Sequence, residues 1–491
     1  MKPNKATGPD NIPSRLLIEA ADEVSPALVL FFQATLVQGI IPLAWKNAFV
    51  SPVFKKGKRS DPSNYRPISL TSIACKVLEH VIHSTIIRHL ENFNILSNFQ
   101  HGFRKKRSCE SQLLLTVHDL ALGLNRRAQI DAVLLDFSKA FDKVPHQRLL
   151  KKLHYYGIRG KTLEWIASFL LSRKQQVLLE GVKSGFSEVS SGVPQGTVLG
   201  PLLFNIFIND LPDVVSSQVR LFADDCLIYR NISNSDDARA LQADLDSLQE
   251  WEHTWMMSFN PTKCESICIT NKTTNIIKST YKIHNSDIKT VSDTKYLGVT
   301  INSKLNWTAH INNITKKAHG MRAFLQRNLY SAPRAVKEHA YKTFVRPSVE
   351  FSSTVWSPHT KKLKDKLESV QRKAARFVFN DFSRHTSVSN LIGRLSWPSL
   401  EHRRNQAKQV MVFKSKNDLV SIPFEPPYFS SATNFRTRGH SCKLLTHPCR
   451  VDAHKYSFFP SIVEKWNNLP EEVVSSANLD VFRSKLLILN T

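Results

Sequence analysis

Residues 221–229 read LFADDCLIY, two short apolar runs on either side of Asp224 and Asp225. In a strand, neighbouring side chains point to opposite faces, so one of two adjacent carboxylates in a half-buried strand would face the core. An unpaired buried charge is costly, or it stays protonated. The pair therefore belongs at a hairpin tip, with 221–223 and 226–229 as its legs. A plain tight turn would use the same residues, because Asp is a good turn former.

A second carboxylate separates these readings. Residues 132–135 are apolar on both faces, as a buried strand must be, and Asp136 ends the run. Alone, Asp136 would read as a helix N-cap. Three carboxylates on neighbouring strand ends would repel, since two unit charges 4 Å apart cost about 4 kcal/mol at an effective dielectric of 20. A site that keeps them together usually holds cations, and oxygen-only ligands favour Mg2+, with Mn2+ as a substitute. Two such ions roughly 3.5–4 Å apart deprotonate an attacking hydroxyl and stabilise the leaving oxygen of an in-line phosphoryl transfer. Asp142 reads as a structural cap or salt-bridge partner.

Outward from this centre the pattern alternates. Helical stretches at 146–156 and 161–172 lead to a hairpin, 175–180 with 186–190, and an apolar helix at 201–211. Residues 236–256 place Leu241, Leu245, Leu248, Trp251 and Trp255 on one helical face, and 264–270 is strand-like. That order predicts an α+β fold, a split-βαβ antiparallel sheet backed by helices. Upstream, a strand at 48–54 and an extended NYRPISL (64–70) precede an amphipathic helix at 73–92. Downstream, 308–376 reads as Lys- and Arg-rich helices. Residues 420–450, with Pro423, Pro426, Pro427 and Pro448, read as loop or linker. SFFPSIVEKWNNL (457–469) is apolar enough to dock on a core.

The 491 residues carry 67 Lys and Arg against 41 Asp and Glu, a formal net charge of +26. That excess points to a polyanionic partner, nucleic acid or an acidic membrane surface. Seven scattered cysteines suit a reducing compartment better than a disulfide framework. With no secretory signal and no run of the ~20 apolar residues that span a bilayer, an intracellular protein, in nucleus or cytoplasm, is expected.

Only 16 glycines occur, yet Gly192, Gly196 and Gly200 fall within SGVPQGTVLGP. Such a loop needs positive φ or close approach by a ligand, and the helix it opens would favour a phosphate. Gln195 offers a donor and an acceptor. A ligand-free connection from strand to helix is the plainer alternative, and no Walker A sequence follows. Lys55, Lys56, Lys58 and Arg59 form one basic run and Arg104, Lys105, Lys106 and Arg107 another; such runs are usually solvated faces. Arg66 differs, lying between Tyr65 and Pro67, where it suits a bidentate phosphate contact. Residues 361–376 suit a helix lying along a nucleic-acid backbone, with calmodulin-like or membrane binding as alternatives.

Taken together, the segments resemble the reverse transcriptases of non-LTR (LINE-type) retrotransposons, the jockey-like group in particular. KATGPDNIP (5–13), SPVFKKG with NYRPISL (51–70), QHGFRKKRSC (100–109), LLDFSKAFDKVPH (134–146), SSGVPQGTVLGPLLFNIFINDL (190–211), LFADDCLIY, SFNPTKCES (258–266) and KYLGVTI (295–301) follow the family's order. The resemblance implies a right-hand polymerase: N-terminal extension and fingers in 1–130, palm in 131–301, helical thumb in 302–400, and a basic C-terminal extension in 401–491. It implies Asp136, Asp224, Asp225 and the Phe137 carbonyl as metal ligands. Lys55 and Arg66 would hold the triphosphate. Phe141 would be the steric gate against a ribose 2′-OH. Gln195 and Gly196 would contact nucleotide or template, and Lys263 would donate a proton to the leaving pyrophosphate. Tyr296, Leu297 and Gly298 would form the primer grip.

The implied cofactors are two Mg2+ ions, and the implied partners an RNA template, a DNA primer and deoxynucleoside triphosphates, with no membrane. The family usually encodes an upstream endonuclease and a zinc knuckle. The chain starts just before the fingers motif, so the cutting domain is expected to be missing, and the spacing of His440, Cys442, His447 and Cys449 does not match the knuckle. The expected activity is RNA-directed DNA synthesis. An inert nucleic-acid-binding remnant is the alternative, against which the intact acidic trio argues. An RNA-dependent RNA polymerase or intron maturase on the same palm is a third reading; Phe141 argues against the RNA polymerase, and the thumb sequence fits neither well.

Overall fold

The protein is described from a computed structural model covering residues 2–423, 428–431 and 440–489. Two five-stranded sheets organise its N-terminal part. In the first, β1 (Asn47–Phe54) pairs antiparallel with β2 (Tyr65–Leu70), which sets Arg66 opposite Val53 and Tyr65 opposite Phe54. After β3 (Gln129–Asp136), which belongs to the other sheet, β4 (Arg173–Leu179) joins β1 in parallel. The short strands β5 (Val182–Lys183) and β6 (Ser187–Val189) fold back on β4 as a hairpin, as the sequence predicts.

The second sheet holds the acidic residues. It adds β7 (Gln218–Phe222), β8 (Asp225–Ile232) and β9 (Glu265–Thr270). Beyond them, β10 (Lys282–Ile283) and β11 (Ser286–Asp287) make a small separate hairpin, and β12 (Lys289–Thr290) closes the edge. The order is β12-β9-β3-β8-β7, with β3 antiparallel to both β8 and β9. Alternation along the central strands divides two cores. Ile130, Ala132, Leu227, Tyr229, Ile267 and Ile269 enter one; Val133, Leu135, Val219, Leu221, Cys226 and Ile228 enter the other. Both faces are covered, so the stretches 132–135 and 226–229 are continuously apolar.

The Ile73–Asn92 helix begins where Ser72 Oγ accepts from the Cys75 amide at 3.3 Å, and its buried Leu78, Ile82, Ile86 and Leu90 join the second core. The first core runs through the Cys109–Asn125 helix into the C-terminal half. There the helices Thr308–Asn328, Lys361–Phe379, Leu400–Lys416, Phe458–Asn467 and Leu479–Ile488 share it. Leu367, Val370 and Ala374 are fully buried in that core, so the apolar face of 361–376 is already occupied. The 457–469 segment docks through Phe458, Phe459, Ile462 and Trp466. A hairpin of β13 (Asp293–Tyr296) and β14 (Val299–Asn302) links the two halves. The Leu400–Lys416 helix straddles the 400/401 division. Part of the loop expected at 420–450, including Pro426 and Pro427, lies outside the described residues. Among the described residues no helix is long and apolar enough to cross a membrane.

Candidate active site

Antiparallel pairing of β3 with β8 sets Asp136 directly opposite Asp225, about 4.5–5.5 Å apart at Cα. Asp224 occupies the two-residue turn between β7 and β8 with Ala223, whose φ is +52°. Left-handed backbone costs an alanine roughly 1–2 kcal/mol, so the turn must be held from outside. The hairpin tip expected from LFADDCLIY is present, and Asp136 stands one rung away.

The charges answer to each other. Burial raises the Asp224 carboxyl first, and Asp136 adds repulsion. Burial also pushes Asp225 up to about 6, with Asp224 and then Asp136 raising it further. Lys55 and Arg66 oppose the rise at both aspartates. Lys55, just after β1, and Arg66, on β2, thus act on the carboxylates from the other sheet. The Asn260 amide donates to the Asp136 backbone carbonyl at 2.7 Å and the Ser138 amide to Ser258 at 2.8 Å. This lashing brings Lys263 Nζ to 3.2 Å from Asp136 Oδ2. Among the described residues no three His, Cys, Asp or Glu side chains close into a ready-made metal cage. The carboxylates share one end of the β3–β8 pair, where the Asp136 and Lys263 side chains are both partly exposed. His440 and Cys442 are bonded elsewhere, His440 Nε2 to the Trp466 carbonyl at 2.9 Å and the Cys442 amide to His440 Nδ1 at 3.1 Å.

Around this end the glycine loop folds against the residues after β3. Gln195 Nε2 donates to Asp142 Oδ1 at 2.8 Å, so Asp142 has a structural partner and the Gln195 amide is engaged with it. Gly196, at φ +106°, lies so close to β2 that a Cβ would come 2.7 Å from the Ser69 carbonyl. The helix after the loop begins at Leu199, and its N-terminus is not open to a phosphate. The buried Glu79 carboxylate accepts from the Val198 and Leu199 amides at 2.7 and 3.0 Å. This corrects the expected anion site: an internal carboxylate already answers the helix dipole.

The Phe141 ring stacks on Phe204 with centroids 4.3 Å apart and meets Phe103 edge-on at 6.2 Å. Phe137 is buried against Phe259 and Trp251. Tyr296 is buried, its hydroxyl accepting from Gln112 Nε2 at 3.4 Å. Leu297 and Gly298, at φ +45° and +88°, make the two-residue turn of the β13–β14 hairpin.

A sequence profile described as "Reverse transcriptase (RNA-dependent DNA polymerase)" matches residues 53–301, just over half of the chain. The chain belongs to the reverse transcriptase family. Among curated relatives, "RNA-directed DNA polymerase from mobile element jockey" of Drosophila funebris is 31% identical over 77% of this chain and 42% of its own length. The protein of the same description from Drosophila melanogaster is 29% identical over 76% and 42%. "Probable RNA-directed DNA polymerase from transposon BS" of Drosophila melanogaster is 28% identical over 76% and 43%. The chain thus spans less than half the length of these relatives. They carry the non-LTR resemblance.

Two residues near the acidic strand ends are not marked by their own chemistry. Gln100 is 3% exposed and reaches the Ala223 backbone. Phe103 is 58% exposed at φ +54° beside Phe141. Both lie in QHGFRKKRSC, a segment marked in the sequence only by its resemblance to the family.

Proposed function

We propose that this reverse transcriptase extends a primer 3′-OH on an RNA template by metal-assisted phosphoryl transfer. The observation that supports it most is the pairing of Asp136 with Asp225 beside Asp224, faced by Lys55 and Arg66. The donor set is all oxygen, and its mutual repulsion is what a divalent cation relieves, so the residues fit Mg2+. Asp136, Asp224, Asp225 and the Phe137 carbonyl would hold it. When bound, it would lower the pKa of the primer hydroxyl and neutralise charge on the phosphates.

The chain's own groups do the rest. Lys55 and Arg66 hold the triphosphate, and Lys263, beside Asp136, donates a proton to the departing pyrophosphate. Phe141, backed by Phe204, closes the space a ribose 2′-OH would need. Gln195 and Gly196 shape the floor under nucleotide and template. Tyr296, Leu297 and Gly298 present the hairpin turn to the primer. In this reading residues 1–130 are N-terminal extension and fingers, 131–301 palm, 302–400 thumb and 401–491 a basic extension. The RNA template, DNA primer and deoxynucleoside triphosphates are its partners.

The test is primer extension on poly(rA)·oligo(dT) with dTTP and Mg2+. The Asp224→Ala, Asp225→Ala double variant is expected to lose at least a thousandfold in rate with template binding retained. Equal rates in wild type and variant would overturn the assignment.

A further inference from the structure

We propose that Gln100 is a positioning residue for the catalytic turn, clamping both backbone groups of Ala223 and so setting the height of Asp224 and Asp225. The proposal rests on the polymerase role of those aspartates. Gln100 Oε1 accepts from the Ala223 amide at 2.9 Å and from the Gly102 amide at 2.7 Å, and its Nε2 donates to the Ala223 carbonyl at 3.4 Å. One side-chain amide thus satisfies the residue that precedes Asp224 on both sides of its Cα. The turn needs such a clamp because Ala223 is in left-handed backbone.

The clamp is itself built in. Leu221 donates to the Phe99 carbonyl at 3.0 Å and His101 to the Leu221 carbonyl at 2.9 Å, so this segment adds a rung to the sheet beside β7. At Gly102 a Cβ would come 2.3 Å from the Ala223 nitrogen, which makes glycine a condition of the approach. The Gly102 carbonyl accepts from Asn205 Nδ2 at 2.7 Å and the Gln100 carbonyl from Arg107 Nη1 at 3.0 Å. Arg104 Nη1 donates to the Ser97 carbonyl at 2.7 Å. The two arginines of this basic run therefore brace a bracket around the turn. Phe103, next in the bracket, meets Phe141, so one segment sets both the carboxylate tip and one wall of the sugar pocket.

Gln100→Met keeps length and bulk and removes every side-chain hydrogen bond; Gly102→Ala pushes on the same amide from the other side. In poly(rA)·oligo(dT) extension both variants are expected to lose about 10- to 100-fold in kcat with Mg2+ (1.4 kcal/mol for each factor of ten). The KM for dTTP and the Kd for primer–template stay within twofold. Mn2+, which tolerates distorted coordination better than Mg2+, restores at least a third of the lost rate on a logarithmic scale. A generally loosened fold would instead raise KM and Kd and give no recovery in Mn2+. A kcat within twofold of wild type, or a joint collapse of kcat and binding, overturns the proposal. Amide hydrogen exchange at Ala223 reads the clamp without catalysis. An inactive wild type with faster exchange in Gln100→Met would sink the polymerase reading and keep the clamp; unchanged exchange sinks the clamp.

Discussion

Replacing Glu79 by Ala removes a carboxylate that is fully buried and bonded to two backbone amides at the head of the Leu199–Phe207 helix. Each amide left unpaired in that setting costs about 1–3 kcal/mol, and the helix dipole loses a favourable charge worth about 0.3–1 kcal/mol. Arg173, itself buried, loses the neighbouring carboxylate that favours its charge. Relief of the burial that raises the Glu79 carboxyl offsets part of this. The balance is a loss of about 2–4 kcal/mol, concentrated where the glycine loop meets the helix. Hydrogen–deuterium exchange of peptides covering 196–204 reads it locally, with the Val198 and Leu199 amides exchanging roughly 30- to 700-fold faster. Glu79→Gln keeps an acceptor and should stay within about 1 kcal/mol of wild type. Exchange in Glu79→Ala within threefold of wild type would refute the reasoning, since the carboxylate would then not be what holds the helix end.

Phe141→Val opens the space beside Phe204, so the preference for dTTP over UTP should fall by about tenfold or more in competition extension assays; an unchanged ratio would show that another group excludes the 2′-OH. Asp225→Asn removes a carboxylate that partial burial, then repulsion from Asp224 and Asp136, raises to about 6. Its side chain is exposed, so solvent screens most of this. A gain of about 1 kcal/mol in stability is expected in metal-free buffer, together with a loss of activity. His310 is buried, with Nδ1 accepting from the Thr300 amide at 3.1 Å, and burial, then Lys295, lowers it to about 4. Its stabilising effect is complete above the unfolded value near 6.5 and fades as pH falls toward 4. At pH 5 wild type should therefore have lost about 2 kcal/mol more than His310→Asn relative to pH 7.5, measured by denaturant titration. Parallel pH profiles would contradict it.

Local pattern carried the long elements. The helix at 73–92 was legible because its period and its Ser72 cap are both local. The palm order was legible because strands and helices alternate in unmistakable blocks. The start of β3 was less so: the apolar run begins only at residue 132, three residues into the strand. In the fold, Asp131 accepts from the Tyr281 hydroxyl at 2.7 Å and Gln129 Nε2 donates to the Ile277 carbonyl at 2.8 Å, and both donors and acceptors lie far along the chain. Distance along the chain also hid Glu79, which turns an expected phosphate site into an internal cap. It hid Gln100, whose amide looks unremarkable until the turn it serves is in place. The meeting of the acidic residues was readable because Asp136 ends one apolar run and Asp224 and Asp225 divide another, both local signals of strand ends.

Crystals grown with primer–template, dTTP and Mn2+ would locate the metal ions directly by anomalous scattering. Two peaks roughly 3.5–4 Å apart, touching Asp136 and the Asp224–Asp225 turn, are the expected result. Peaks elsewhere, with these three carboxylates bare beside an ordered primer end, would contradict the account.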